Sequence, residues 1–273
     1  MAEQFAVTAI PGAETGEIPP SPVDRDEKTA FIYSLVDPLW DIDVLPLTYT
    51  NSRWSAFFYR ADEKALRRSL DQGFRGIKIK GGDGDAANDE RVVKGVRALI
   101  GPDVALMIDF NQSLDPSEAA RRIARLEPYD LHWIEEPVPQ ENLSGHAKVR
   151  ETSPTPIQAG ENWWFPRGFA EAIEARASDF IMPDLMKCGG VTGWLRVAAQ
   201  AEAANIPMSS HLFAEASAHM LAVTPTAHWL EFLDFASVIL AHPAEIVDGT
   251  VTARGPGLGL EWNETAVAKY LVA

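Results

Sequence analysis

The stretch VALMIDFNQSLDPSEAARRIARLEPYDLHWIEEP, residues 104–137, holds one complete strand–helix–strand unit. VALMIDF (104–110) is an apolar run broken only by Asp109. Asp115-Pro116 follows, pairing a helix-capping residue with a proline suited to the first helical position. Ala119, Ile123 and Leu126 then recur at helical spacing with arginines between them. LHWIEEP (131–137) is a second apolar run, closing on Glu135. Short apolar runs separated by an amphipathic helix are the pattern of parallel strands covered on both faces.

The same unit recurs on both sides. The other runs are VLPLTYT (44–50), GIKIK (76–80), PIQAGEN (156–162), DFIMPD (179–184), IPMSSHL (206–212) and AHWLEFL (227–233). Between them lie DEKALRRSLDQ, NDERVVKGVRALI, RGFAEAIEARA and TGWLRVAAQAEAAN, each with an apolar stripe. Run starts fall every 21 to 32 residues, the length of a strand, a helix and two loops. Eight such runs predict an α/β fold, a TIM-like (β/α) barrel over residues 44–235. Residues 1–43, with their Pro, Gly and acidic stretch, read as an irregular arm or linker, and 236–273 as a C-terminal segment packing on the barrel. An open doubly wound sheet is the alternative, but no strand–GxGxxG–helix signature supports it.

Charge narrows the partners. The chain has 273 residues and a net charge of −15, from 39 acidic and 24 basic residues. That field repels nucleic acid and anionic membrane, so neither is expected as a partner. It also repels an anionic substrate, which would need local lysines or a metal. No apolar run reaches the ~20 residues of a membrane span, and the N-terminus lacks the pattern of a signal peptide. A single cysteine, Cys188, rules out an intrachain disulfide, and a cytoplasmic location is the default expectation.

Polar residues able to do chemistry fall late in the runs, at the strand ends that form the active face of a barrel. Asp109, Glu135 and Glu161 end three consecutive runs, 26 residues apart in each case. Three carboxylates brought together repel, and a hard divalent cation relieves them; an all-oxygen set favours Mg²⁺ over zinc. Taken singly, each would more often cap a helix. Glu136 is expected on the opposite face of its strand from Glu135. Lys78 and Lys80 share a strand face, and two ammoniums near a metal and near each other are expected to have a depressed pKa, making a lysine a general base. Asp184 and His211 end adjacent runs and suit a carboxylate–imidazole pair. Glu231 ends the last run, and Asn111, on the same face as Asp109, is expected to enter the site. GGDGDAAND after Lys80 reads as a surface turn, Trp163 and Trp164 as pocket wall or packing, and Cys188 as inert.

In order, KIK, MIDFNQ, WIEEP, AGENW, MPDLMKCGGVTGW, MSSHLFAEASAH and AHWLE resemble the mandelate racemase group of the enolase superfamily. The resemblance spans roughly residues 70–235 and extends weakly into PGLGLEW. It implies Mg²⁺ on Asp109, Glu135 and Glu161, with Lys80 and His211 as bases on opposite faces of a substrate α-carbon. Lys78 would contact the substrate carboxylate and lower the pKa of Lys80, Asp184 would orient His211, and Glu231 would be a carboxylic acid hydrogen-bonding the enediolate. The implied reaction is abstraction of the proton α to a carboxylate, ending in racemisation or dehydration of a 2-hydroxy acid or sugar acid. Complete members carry an N-terminal α+β capping domain, which residues 1–43 are too few to build. An uncovered site is expected to favour self-association, hence a homo-oligomer. The rival reading is a catalytically silent barrel serving as a binding or assembly module.

Overall fold

The computed structural model describes residues 66–82, 84–234 and 236–270. The expected arm (1–43) and first run (44–50) lie outside the described residues. The remaining seven runs all form strands: β1 (Gly76–Lys80), β2 (Ala105–Asp109), β3 (Trp133–Glu135), β4 (Ile157–Ala159), β5 (Phe180–Ile181), β6 (Met208–Ser210) and β7 (Ala227–Leu230). They make one parallel sheet in chain order, β1 to β7. Helices α1 (Ala86–Ile100), α2 (Pro116–Leu126), α3 (Leu143–Thr152), α4 (Phe165–Glu174), α5 (Gly190–Ala204) and α6 (Ala214–Ala222) connect them.

The sheet is curled, not open. Seven strands laid flat would hold β1 and β7 roughly 29 Å apart. Instead, Lys78 Nζ at β1 lies 2.5 Å from Glu231 Oε1, just past β7. The doubly wound alternative is thereby excluded.

Local chemistry builds the helices as the sequence suggests. Asp115 caps α2, its carboxylate accepting from the Ser117 and Glu118 N–H groups, with Pro116 opening the helix. Asp85, in the turn after β1, caps α1 by accepting from Asn88 N–H. Val93 on α1 and Ile123 on α2 are fully buried between helix and sheet with Leu106 and Ile108, each worth about 1.5–3 kcal/mol of burial. A second cluster, around Trp194, Phe169 and Ile181, fills the same layer over β4–β6. Arg122 crosses from α2 to Asp89 of α1 at 2.6 Å and to the Gly84 carbonyl at 2.8 Å, and Asp89 also accepts from Gly82 N–H. This buried pair anchors the turn after β1. Gly82, at φ 91°, has no room for a Cβ, which would fall 2.1 Å from Ser113 Oγ.

After β7, the hairpin β8 (Ile246–Val247) and β9 (Thr250–Val251) and the short α7 (Glu264–Ala268) complete the described chain. Gly249 N–H donates to the Gln72 carbonyl. Among the described residues no helix is long and apolar enough to cross a membrane.

Two histidines make the fold sensitive to acid. His146 on α3 is fully buried beside Trp163, and both its ring nitrogens lack a hydrogen-bond partner. Burial pushes it down to about 4, and burial does the same to His228, with His132 adding to the effect. A histidine neutral in the folded chain but protonated near 6.5 when unfolded costs nothing above pH 6.5. It destabilises as pH falls from 6.5 towards 4, by about 2 kcal/mol at pH 5 for the fully buried His146 and by less for the partly exposed His228. The raised carboxyls of Glu135 and Glu136 act the opposite way over the same range, so the expected result is a difference: between pH 7 and pH 5, denaturant melts should show His146→Phe retaining about 2 kcal/mol more stability than the parent does. An unchanged pH dependence in that variant would show that His146 is not the cause.

Candidate active site

Backbone register aligns the site. Parallel pairing sets Lys80 opposite Asp109, Asp109 opposite Glu135 and Glu135 opposite Gln158, one row across four strands. Asp184 and His211 form a parallel bridge of their own just beyond β5 and β6. Glu161 follows β4 and Glu231 follows β7. Of the nine residues singled out in the sequence, eight thus sit at or just past the C-terminal ends of the strands, and Lys78 lies two residues earlier in β1.

The three carboxylates converge. Asp109, Glu135 and Glu161 are buried, and one oxygen from each lies within 4.8 Å of the others, an arrangement that could hold a metal ion. Lys80 Nζ reaches Asp109 Oδ2 at 2.5 Å, and Lys78 bridges Glu135 and Glu231. His211 Nδ1 lies 2.7 Å from Asp184 Oδ2, while its Nε2 faces Glu161 Oε2 at 3.2 Å and Glu231 Oε2 at 3.9 Å.

Crowding of negative charge governs the ionisation. Burial and the carboxylates of Asp109, Glu231 and Glu161 raise Glu135 to about 7 despite Lys78. Burial and Asp109 likewise raise Glu161. Burial raises Asp109 less than Lys80 and Lys78 lower it, so it stays below its ordinary value. Like charges at this spacing call for a compensating cation, and a hard divalent ion suits three buried oxygens.

Among the protein groups alone, carboxylates outweigh the mutual repulsion of the two lysines. Burial lowers Lys78, but Glu135, Glu231, Asp109 and Glu161 outweigh it and hold the ammonium well above its ordinary value. Burial and the neighbouring Lys78 lower Lys80, but Asp109 and Glu135 together outweigh them and raise it. Two ammoniums depress each other only where nothing neutralises them, and here each has its own carboxylate. Burial lowers His211 less than Asp184, Glu231 and Glu161 raise it. Glu231 stays below its ordinary value because Lys78 and His211 outweigh burial. It therefore carries a proton only if one is supplied to it.

Two placements differ from strand alternation. Glu136 does not turn away from the site. The chain leaves β3 with Glu136 at φ 38°, burying its carboxyl where burial, Glu161 and Asp109 raise it to about 8. Asn111 sits two residues beyond Asp109 at φ 41°, where alternation no longer applies. What it gives the site is its backbone N–H, which donates to Asp109 Oδ1 at 2.7 Å.

Other supports were not anticipated. Trp133 Nε1–H and Gln158 Nε2–H both donate to Glu135 Oε2, at 2.9 and 3.1 Å. The lone glutamine inside the apolar run PIQAGEN was the signal that could have exposed Gln158. Asn162 Nδ2–H donates to both oxygens of Glu136 at 3.0 Å and to Glu161 Oε1 at 3.1 Å, and Lys187 Nζ donates to Asn162 Oδ1 at 2.7 Å. Gln112 also donates to Glu136. Trp163 is packing, edge-on to Phe169, whereas Trp164 is exposed. Cys188 is buried, with burial pushing its thiol up to about 12, so it is inert.

Known proteins share this fold. The chain is 73% identical to an enolase from Bradyrhizobium crystallised with magnesium and mandelic acid, at a TM-score of 0.77, over 79% of this chain and 60% of that one. It is 35% identical to D-galactarolactone cycloisomerase of Agrobacterium fabrum over 77% of this chain and 60% of the relative. To L-talarate/galactarate dehydratase of Salmonella typhimurium it is 32% identical over 72% of this chain and 50% of the relative. The chain thus spans only 50–60% of the length of these proteins. Residues 61–266 match the enolase C-terminal domain-like family. The chain belongs to that family, as a barrel of the mandelate racemase group of the enolase superfamily.

Proposed function

We propose that this chain is the catalytic barrel of an enzyme that removes the proton α to a carboxylate, with Mg²⁺ held by Asp109, Glu135 and Glu161. The observation that carries the reading is the buried triad, flanked by proton-carrying groups on either side. A relative's complex with magnesium and mandelic acid supports a 2-hydroxy acid, and the dehydratase relative supports a sugar acid. The bound ion would supply positive charge that stabilises an enolate.

The chain's own residues divide the remaining work. Lys78, with a hydrogen-bonding ammonium beside the triad, binds the substrate carboxylate. Lys80, once deprotonated, takes the α-proton on one face. His211, kept protonated by its carboxylate neighbours and fixed through Nδ1–H to Asp184, meets the other face. If it returns a proton to the α-carbon, the product is the enantiomer. If it protonates a β-hydroxyl, water leaves and the acid is dehydrated. Glu231, carrying a proton taken up from solvent, hydrogen-bonds the enolate oxygen, so that the His211 proton stays available for the substrate. Both reactions balance, because the group that loses a proton faces one that gains it.

The test is proton–deuterium exchange at the α-carbon, followed by NMR in D₂O with Mg²⁺, across mandelate and a panel of sugar acids. Exchange in at least one acid is expected. Metal binding without exchange in any acid would favour the silent barrel.

A further inference from the structure

Lys187 lies outside the proposed chemistry, on the turn after β5, yet it is joined to the triad through one intermediary. Its ammonium donates to Asn162 Oδ1 at 2.7 Å. An ammonium has donors only, so the Asn162 amide must present its oxygen to Lys187. The amide nitrogen is then forced the other way, where it donates to Glu136 and to Glu161 Oε1. The opposite orientation would press the amide oxygen against carboxylate oxygens and leave Lys187 facing an NH₂ group. Lys187 therefore decides which end of Asn162 meets Glu161.

The turn that carries Lys187 is itself fixed from the site. Asp184 Oδ1 accepts from the Met186 and Lys187 N–H groups at 2.8 and 3.1 Å, while Oδ2 holds His211. The Lys187 carbonyl accepts from Phe165 N–H, tying the turn to the start of α4. The half-buried lysine thus has little freedom to choose another partner.

We infer that Lys187 is a positioning residue for the divalent-metal site, acting through the Asn162 amide to hold Glu161 in its ligating orientation. This rests on the proposed metal role of the triad and adds a residue to it. Partners that orient a ligating carboxylate typically matter 10–100-fold to metal affinity.

Mn²⁺ is a suitable probe, because its electron paramagnetic resonance signal reports both affinity and ligand symmetry without turnover. Lys187→Met should weaken Mn²⁺ binding about tenfold or more and broaden the bound-ion spectrum, with Lys187→Arg restoring both. Asn162→Ala should weaken binding similarly, and adding Lys187→Met to it should cost nothing further, the signature of two residues acting through one contact. Parent-like Mn²⁺ affinity in a folded Lys187→Met or in Asn162→Ala overturns the inference, as does full additivity in the double variant. If Lys187→Met does not fold, the Asn162→Ala result decides alone. A parent chain that binds no Mn²⁺ removes the proposed function and this inference together, whereas a binding parent with an indifferent Lys187 removes only the inference.

Discussion

Glu135→Gln should weaken Mg²⁺ binding by roughly a hundredfold, about 2.7 kcal/mol, while leaving the fold intact. Glu135 is the central carboxylate of the register row, flanked by Asp109 on one side and Gln158 on the other. Its negative charge is what the site strains to hold. Burial and three other carboxylates raise it to about 7, and a divalent ion would reverse that balance. The amide keeps the volume and can still accept from Trp133 and Gln158, which both reach Oε2. What is lost is the charge and the Oε1 acceptor, and with it the Lys78 contact, while Lys78 keeps Glu231. Calorimetry on protein stripped of metal measures the change directly. Parent-like affinity in a well-folded Glu135→Gln would remove this residue from the metal site.

The larger kinetic effect is expected from the two proton carriers. Lys80→Ala should abolish α-proton exchange from one enantiomer of a responsive acid, and His211→Asn exchange from the other, each by about 10²–10⁴-fold. The structure separates these groups by their partners. Lys80 is held on Asp109 from β1, whereas His211 is held on Asp184 past β6. Loss of the His211 imidazole leaves the Lys80–Asp109 contact in place, so one exchange should survive. Chiral separation of deuterated substrate, with Mn²⁺ affinity as a control for site integrity, distinguishes the outcomes. If either variant loses both exchanges while still binding metal, the two-face division is wrong.

Seven strands were legible because parallel strands buried on both faces read as unbroken apolar runs. The candidate site residues stood out because most of them fall late in such a run. Helices α3 and α6 gave no comparable signal. LSGHAKVRET carries a glycine and only a weak apolar stripe, and AEASAHMLA is small or apolar on almost every side, so neither shows a polar face to set a period. Glu136 was misplaced because alternation holds only inside a strand, and its φ of 38° ends that rule one residue after Glu135. Lys187 and Asn162 meet through two turns, 25 residues apart. No periodicity links such residues. Spacing showed the two ammoniums side by side but not the carboxylate lying against each.

The row Lys80, Asp109, Glu135 and Gln158 is held by backbone pairing, so its members are addressed by position within a strand and not by the loops around them. A single-residue insertion inside β2 would swing Asp109 to the helix-facing side and hand its place to a hydrophobic neighbour. The same insertion in the linker between α2 and β3 would be absorbed. Each strand with its following helix therefore behaves as a cassette. Chimaeras recombined with crossovers inside the outer helices should inherit an intact ring of functional groups, whereas crossovers that change strand length by one residue should lose it entirely.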